Sequence, residues 1–383
     1  MGLGTFAARK SFEFMIYLWG APDVEDLEVK AKALADAGFT VVDWDAAELD
    51  VLQKYGLKGM VKSPTEETVR QVASHPALWG YHLGDEPYPE AAFLPVAKEM
   101  RALEQIDPDH IAFVNMLSTT GEFLRTYMKV VEPPMLSFDY YQWWWGSDRY
   151  FEKLEQFREQ AVLAGVPLGS CIEVTANPGI ERGDRTYLAD NAAKLRQSVY
   201  TNLAYGVKSI EWFSAGNLFE PKSVTLAPWG KDVAALNHEL KRVGPELARL
   251  SSLDVYHTRP LPRGTREAPK EHWVQLIAEE RKGGLVYGMF EDEGGVDYVL
   301  AANKDTVSSQ SVTMRLQSKW LGIAPWHEKK VYSYGIEQLD KATGAWETIS
   351  STSFVGFTFV IGAADGELFR ITTTIDSGSA ASR

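Results

Sequence analysis

The chain has 383 residues, a formal net charge of −13 and a hydrophobic content of 45%, enough for two domains or for one large barrel with an appendage. No run is long and apolar enough to cross a bilayer, so no membrane partner is expected. No basic cluster offers the concentrated cationic surface that phosphate binding requires, so nucleic acid is not an expected partner either.

The first two-thirds of the chain repeats one phrase. A short β-branched or aromatic run is followed by polar residues, an amphipathic helix, often a glycine, and then another run. The glycines that close helices are plain at Ala37-Gly38-Phe39, Tyr55-Gly56-Leu57, Ala164-Gly165-Val166 and Tyr205-Gly206-Val207. Eight strands are predicted, near 12–19, 40–44, 57–61, 78–84, 111–117, 135–141, 166–173 and 208–214. The intervening helices carry apolar residues at helical spacing, such as Leu27, Ala31 and Leu34, or Leu154, Phe157 and Ala161. The last helix of the series spans roughly 231–250. Alternating strands and helices imply a parallel sheet, and eight units in this length match a closed (β/α)8 TIM barrel in the α/β class. An open doubly wound sheet would carry a glycine-rich phosphate loop after its first strand. The sequence there reads Leu18-Trp19-Gly20-Ala21-Pro22, which does not fit.

Beyond about residue 255 the pattern changes to short strands separated by turns such as Asp292-Glu-Gly-Gly295. Strands are predicted at 273–277, 285–290, 298–302, 312–316, 330–334 and 357–361. Together they read as a small C-terminal antiparallel β-sandwich. The expected domains are a catalytic barrel over 1–254, a sandwich over 255–376 and a disordered tail over 377–383. The tail from Thr373, which runs into Ser-Gly-Ser-Ala-Ala-Ser, is expected to be disordered.

The single cysteine, Cys171, can form no internal disulfide and lies in an apolar run, as an inert buried thiol would. No Cys/His cluster has zinc-ligand spacing, so neither a metal nor a cofactor is expected. No secretory signal opens the sequence. A cytoplasmic protein and a secreted or periplasmic one lacking its leader are both compatible with this.

A barrel of this kind places its chemistry at the C-terminal ends of its strands. Those ends carry Trp19, Asp43-Trp44, Asp85-Glu86, Asn115, Asp139-Tyr140-Tyr141-Gln142-Trp143, Glu173 and Glu211-Trp212. This is a ring of carboxylates and aromatics. Paired carboxylates suit glycoside hydrolysis, in which one must be protonated to release the leaving oxygen and another ionised. Flat rings suit the C–H faces of sugars, although most of the 12 Trp and 16 Tyr are needed to fill so large a core. The candidate catalytic residues are Glu86 and Glu173. The candidate substrate contacts are Trp19, Asp43, Trp44, Asp85, Asn115, Asp139, Tyr140, Tyr141, Trp143, Glu211 and Trp212. Glu211 is the main rival to Glu173 as the partner of Glu86, although by strand parity it is expected to face the helices. The bland alternative for Glu86 is that Asp85 caps a helix whose first turn holds Glu86 and Pro87.

The stretch His75-Pro-Ala-Leu-Trp-Gly-Tyr-His-Leu-Gly-Asp-Glu-Pro87 resembles the fourth-strand motif of clan A, the large group of retaining barrel glycosidases that includes β-galactosidases, β-mannanases and cellulases. The resemblance covers roughly residues 12–250. It implies that Glu86 is the acid/base and Glu173, ending strand seven, the nucleophile. It further implies that Trp212 is the strand-eight aromatic and that Tyr140 or Tyr141 contacts the nucleophile. Asp85 departs from the pattern by standing where the clan has an Asn that binds the sugar 2-hydroxyl. The Asp-Glu-Pro form is similar to that of poorly characterised bacterial glycosidase-like proteins, and the stretch Tyr298–Asp305 resembles the β domains that follow such barrels. The expected function is therefore retaining hydrolysis of an oligo- or polysaccharide, with carbohydrate as the partner. A non-catalytic carbohydrate-binding barrel and a polysaccharide lyase on the same scaffold are the alternatives.

Overall fold

The computed structural model describes residues 12–145, 148–174, 192–278, 283–317, 330–352 and 356–377. Its first eight strands are β1 (Met15–Leu18), β2 (Val41–Asp43), β3 (Lys58–Lys62), β4 (Leu78–Asp85), β5 (Ile111–Leu117), β6 (Leu136–Asp139), β7 (Leu168–Glu173) and β8 (Val207–Phe213). They close in sequence order into a barrel, with β8 pairing parallel to β1. Each expected strand is present, displaced by a few residues at most at either end. The helices are α1 (Leu27–Asp36), α2 (Leu49–Lys54), α3 (Glu66–Val72), α4 (Phe93–Ile106), α5 (Gly121–Val131), α6 (Gln142–Trp145), α7 (Tyr150–Ala164), α8 (Ala192–Ala204) and α9 (Pro228–Ala248).

Local chemistry accounts for the helix ends. Asp26, Thr65 and Thr120 accept backbone N–H groups at the starts of α1, α3 and α5, satisfying donors that the helix itself leaves unpaired. The glycines expected to close helices all take positive φ: Gly38 at 80°, Gly56 at 70°, Gly165 at 66° and Gly206 at 82°. At Gly38 a side chain is excluded twice over, because a Cβ would also stand 2.9 Å from that of Asn237 on α9.

Strand alternation sorts side chains between the barrel lumen and the helix layer. Met15, Tyr17, Trp19, Val41, Met60, Phe113, Met135, Tyr141 and Cys171 pack together as one buried cluster inside the barrel. The lumen is thus filled by stacked layers of side chains, and only its uppermost layer is free to meet a ligand.

The chain divides into two compact units, 1–198 with 207–248, and 199–206 with 249–383. The second unit holds two antiparallel sheets. One has the order β15-β14-β17-β12-β11-β9 and the other β10-β13-β16, where β9 is Ser251–His257, β10 Val274–Ala278, β11 Leu285–Glu291, β12 Asp297–Asn303, β13 Gln310–Leu316, β14 Lys330–Leu339, β15 Trp346–Thr352, β16 Phe357–Ile361 and β17 Gly366–Ser377. Inward residues of both sheets, among them Tyr287, Val299, Val312, Met314, Ile336 and Phe369, form a single core, as in a sandwich. Three strands escaped the sequence reading: β9, β15 and β17. The last corrects the disordered tail expected from Thr373. It runs to Ser377, pairing Thr373 with Tyr334 and Ser377 with Lys330. A partner strand supplies the hydrogen bonds that its Thr-rich composition alone does not announce. Residues 378–383 lie outside the described residues.

Candidate active site

The barrel mouth is built from the last inward residue of each strand. β4 runs through Asp85, and the next helical turn begins only at Glu90. Asp85 therefore does not cap a helix opening at Glu86. Its Oδ1 accepts the Asn115 side-chain amide at 3.0 Å. Glu86 takes φ of 45°, and its N–H donates to the Asn115 carbonyl at 2.9 Å. Left-handed backbone is unfavourable for a residue with a Cβ, by about 1–2 kcal/mol, and such positions cluster where function fixes a side chain. Both Asp85 and Glu86 are exposed.

Asp139 ends β6, is 7% exposed, and is hydrogen-bonded to Glu86. Burial pushes its pKa up to about 8, and the charges of Glu86 and Asp85 push in the same direction. Asp139 therefore holds its proton to a higher pH than an ordinary aspartate does. The Asp139 Oδ1 has no hydrogen-bond partner.

Glu173 ends β7 and is 1% exposed. The Trp143 backbone N–H donates to its Oε1 at 2.6 Å, whereas Oε2 is buried without a partner among the described residues. Burial raises its pKa to about 8 against the opposing pull of that backbone donor. Trp143 is itself held, its indole N–H donating to Ser198 Oγ at 3.0 Å and the Lys194 ammonium lying 5.1 Å from its ring. The side chains of Trp144 and Trp145 lie outside the described residues.

Glu211 sits two residues before the end of β8, one lumen layer lower. The parity expected for β8 is reversed. Glu211 points into the barrel, where it accepts from Ser137 Oγ at 2.8 Å, Ser209 Oγ at 3.2 Å and Trp19 Nε1 at 3.4 Å. Trp212 points to the helices, is fully buried, and donates from its indole to Asn237 Oδ1 at 2.8 Å. It has no exposed surface with which to meet a substrate, and its role is packing against α9. A carboxylate tolerated on the lumen side explains the reversal, since Gly169 opposite leaves room: a Cβ there would lie 2.5 Å from Glu211 Oε1. Asp85, Asn115, Ser137 and Glu211 thus form one polar column from rim to interior, closed by the 3.3 Å contact of Ser137 Oγ with Asn115 Oδ1.

On the opposite arc, Asp43 is satisfied by Tyr17 OH, the Gly20 N–H at 2.5 Å and the Lys62 ammonium at 2.5 Å. Lys62 also lies 5.0 Å from the Trp19 ring. The sequence reading passed over Lys62 because β3 was ended one residue early, although the inward alternation from Met60 reaches it. His82 is stacked on Phe113 (4.9 Å, 22°) and set edge-on to Trp19 (4.6 Å, 83°). Burial lowers its pKa to about 4, and Nε2 has no partner. Trp44 is turned aside, its indole N–H donating to the Glu48 carbonyl at 3.0 Å. Tyr140 and Tyr141 are both 8% exposed. The Tyr141 hydroxyl lies 3.6 Å from Cys171 Sγ and its ring stacks on Phe213 (5.7 Å, 22°). Burial raises the Cys171 thiol pKa well above its ordinary value.

No protein-family model and no curated protein matches the chain. Among solved structures, one described as a glycoside hydrolase is similar over 96% of this chain and 93% of its own, with 10% identity and a TM-score of 0.58. A GH27 β-L-arabinopyranosidase from Geobacillus stearothermophilus is similar over the full length of both chains, at 10% identity and a TM-score of 0.54. At that identity the likeness is one of fold.

Proposed function

We propose that this protein is a glycosidase that cleaves its substrate by a retaining double displacement, with Glu86 and Glu173 as the working carboxylates. The observation that carries the reading is Glu173: at the barrel mouth one oxygen is clamped by a backbone N–H while the other is buried and, among the described residues, unpartnered. A native protein rarely leaves a buried acceptor unsatisfied without reason. That arrangement suits a nucleophile, fixed in orientation with one lone pair kept for the anomeric carbon. Glu86 delivers the proton to the leaving oxygen, and its hydrogen bond to Asp139 orients the carboxyl for that step. The glycosyl ester on Glu173 is then released by a water that Glu86 deprotonates. Asp85, Trp19, Trp143 and the Lys62–Asp43 pair supply hydroxyl contacts and a ring face around the sugar.

One observation favours a second reading. The carboxyl that touches Glu86 is Asp139, so hydrolysis by these two alone is the rival pairing. Screening aryl glycosides and polysaccharides, with the product anomer followed by NMR, tests the proposal. Retained configuration, together with rescue of Glu173→Ala by azide as a glycosyl azide, supports it. Inverted product overturns the retaining step. Full turnover by Glu173→Gln transfers the role to Asp139. Glycan binding without cleavage by the wild type would make the barrel a binding module, and an unsaturated product would make it a lyase.

A further inference from the structure

We infer that Tyr88 and Phe123 form a second sugar-binding position outside the cleavage point, so that the substrate is a neutral saccharide chain extending past the bond that is broken. This rests on the glycosidase reading for its orientation but not for its evidence. Tyr88, in the segment that follows β4, is an aromatic side chain 76% exposed. It lies against Phe123 with centroids 5.8 Å apart and planes 30° apart. Phe123 is in turn set edge-on to Phe93 (4.8 Å, 70°), and Phe93 to Tyr127 (5.4 Å, 75°). Phe93 and Tyr127 are buried in the core. An aromatic column therefore rises from the core between α4 and α5 and ends in a ring whose outer face is open.

The position specifies the ligand. Tyr88 is two residues from Glu86, so their Cα atoms are separated by at most about 7 Å. An open ring face beside a rim of exposed carboxylates, Asp85, Glu86 and Glu90, matches a molecule with an apolar C–H face and hydroxyl edges. The same carboxylates repel an anionic ligand. A pyranose ring meets both demands, stacking on Tyr88 while its hydroxyls reach the acidic rim.

Binding of gluco-, manno-, xylo- and galacto-oligosaccharides, from monosaccharide to hexasaccharide, tests this by calorimetry on the full-length wild type, Tyr88→Ala, Tyr88→Phe and Tyr88→Trp. The expected result is a loss of affinity in Tyr88→Ala that grows with chain length to about tenfold, the size of one aromatic contact, with Tyr88→Phe and Tyr88→Trp close to wild type. Equal weakening of all chain lengths, unchanged binding by Tyr88→Ala, or no wild-type binding across the series would each overturn it. The two readings fail separately. Tyr88-dependent binding without cleavage retires hydrolysis and leaves the platform. Cleavage and binding indifferent to Tyr88 do the reverse.

Discussion

The barrel interior and the barrel mouth each hold a buried glutamate, on adjacent strands, and the two are treated differently. Glu211, one layer down, is surrounded by three side-chain donors, and its pKa is raised only to about 7. Glu173, in the top layer, has backbone donors alone, one oxygen unpartnered among the described residues, and a pKa raised to about 8. Burial is the same for both. What differs is how far the fold has satisfied the carboxyl, and on the proposed function that separates a polar group used to organise the lumen from one left available for a ligand.

The sharpest way to break this comparison is to make the same isosteric change at both positions. Glu173→Gln is expected to lower kcat/KM by ~10³-fold or more, in the upper part of the range for loss of a working carboxyl, while Glu211→Gln stays within about tenfold of wild type. Steady-state assays on the best substrate measure both, and equal losses would erase the distinction. Removing the Glu211 side chain altogether strands its three donors. Glu211→Ala should therefore destabilise the fold by about 3 kcal/mol, read as a lower urea midpoint. Gly169→Ala forces a methyl to 2.5 Å from both Glu211 Oε1 and Met135 Cε. It should cost about 1–3 kcal/mol by overpacking, with KM little changed if the inner layer is purely structural.

The titrating groups sharpen the comparison further. On the proposed mechanism turnover needs Glu173 ionised and Asp139 protonated. With Glu173 and Asp139 both raised to about 8, kcat/KM should follow a narrow bell centred near that pH. Asp139→Asn should move its descending limb, and a limb that does not respond would remove Asp139 from that role. Stability carries the same signature. Carboxyls raised from an unfolded value near about 4 bind protons more tightly in the folded chain, so their stabilising contribution is complete below about pH 4 and lost as pH rises through about 8. Urea midpoints should fall across that window in the wild type and fall less in Glu173→Gln and Asp139→Asn. A midpoint difference independent of pH would contradict it.

Much of the molecule was legible in the sequence. Eight apolar runs separated by helical periodicity located all eight barrel strands, because backbone hydrogen bonding and lumen burial act on every residue of such a run. The positions of Glu86 and Glu173 at strand ends followed from that count. The β8 parity did not, because Glu211 and Trp212 are both fully buried and alternation cannot distinguish lumen from helix layer when each accepts a polar atom. Strands β9, β15 and β17 were missed for a related reason: their Ser- and Thr-rich sequences become strands through their partners. Tyr88 was passed over because it lies beyond the strand end, and nothing local marks a tyrosine that will stay exposed.

The sequence by itself determined the barrel, the following β domain and the ring of acids at the mouth, since these depend on periodicity and on chain order. Only the tertiary structure decided which carboxyls meet. The contact of Glu86 with Asp139, the unpartnered oxygen of Glu173 and the satisfied one of Glu211 depend on how eight strands stagger around a closed lumen. Strand stagger sets which side chains share a layer, and the layer sets the donors and the solvent that fix each proton.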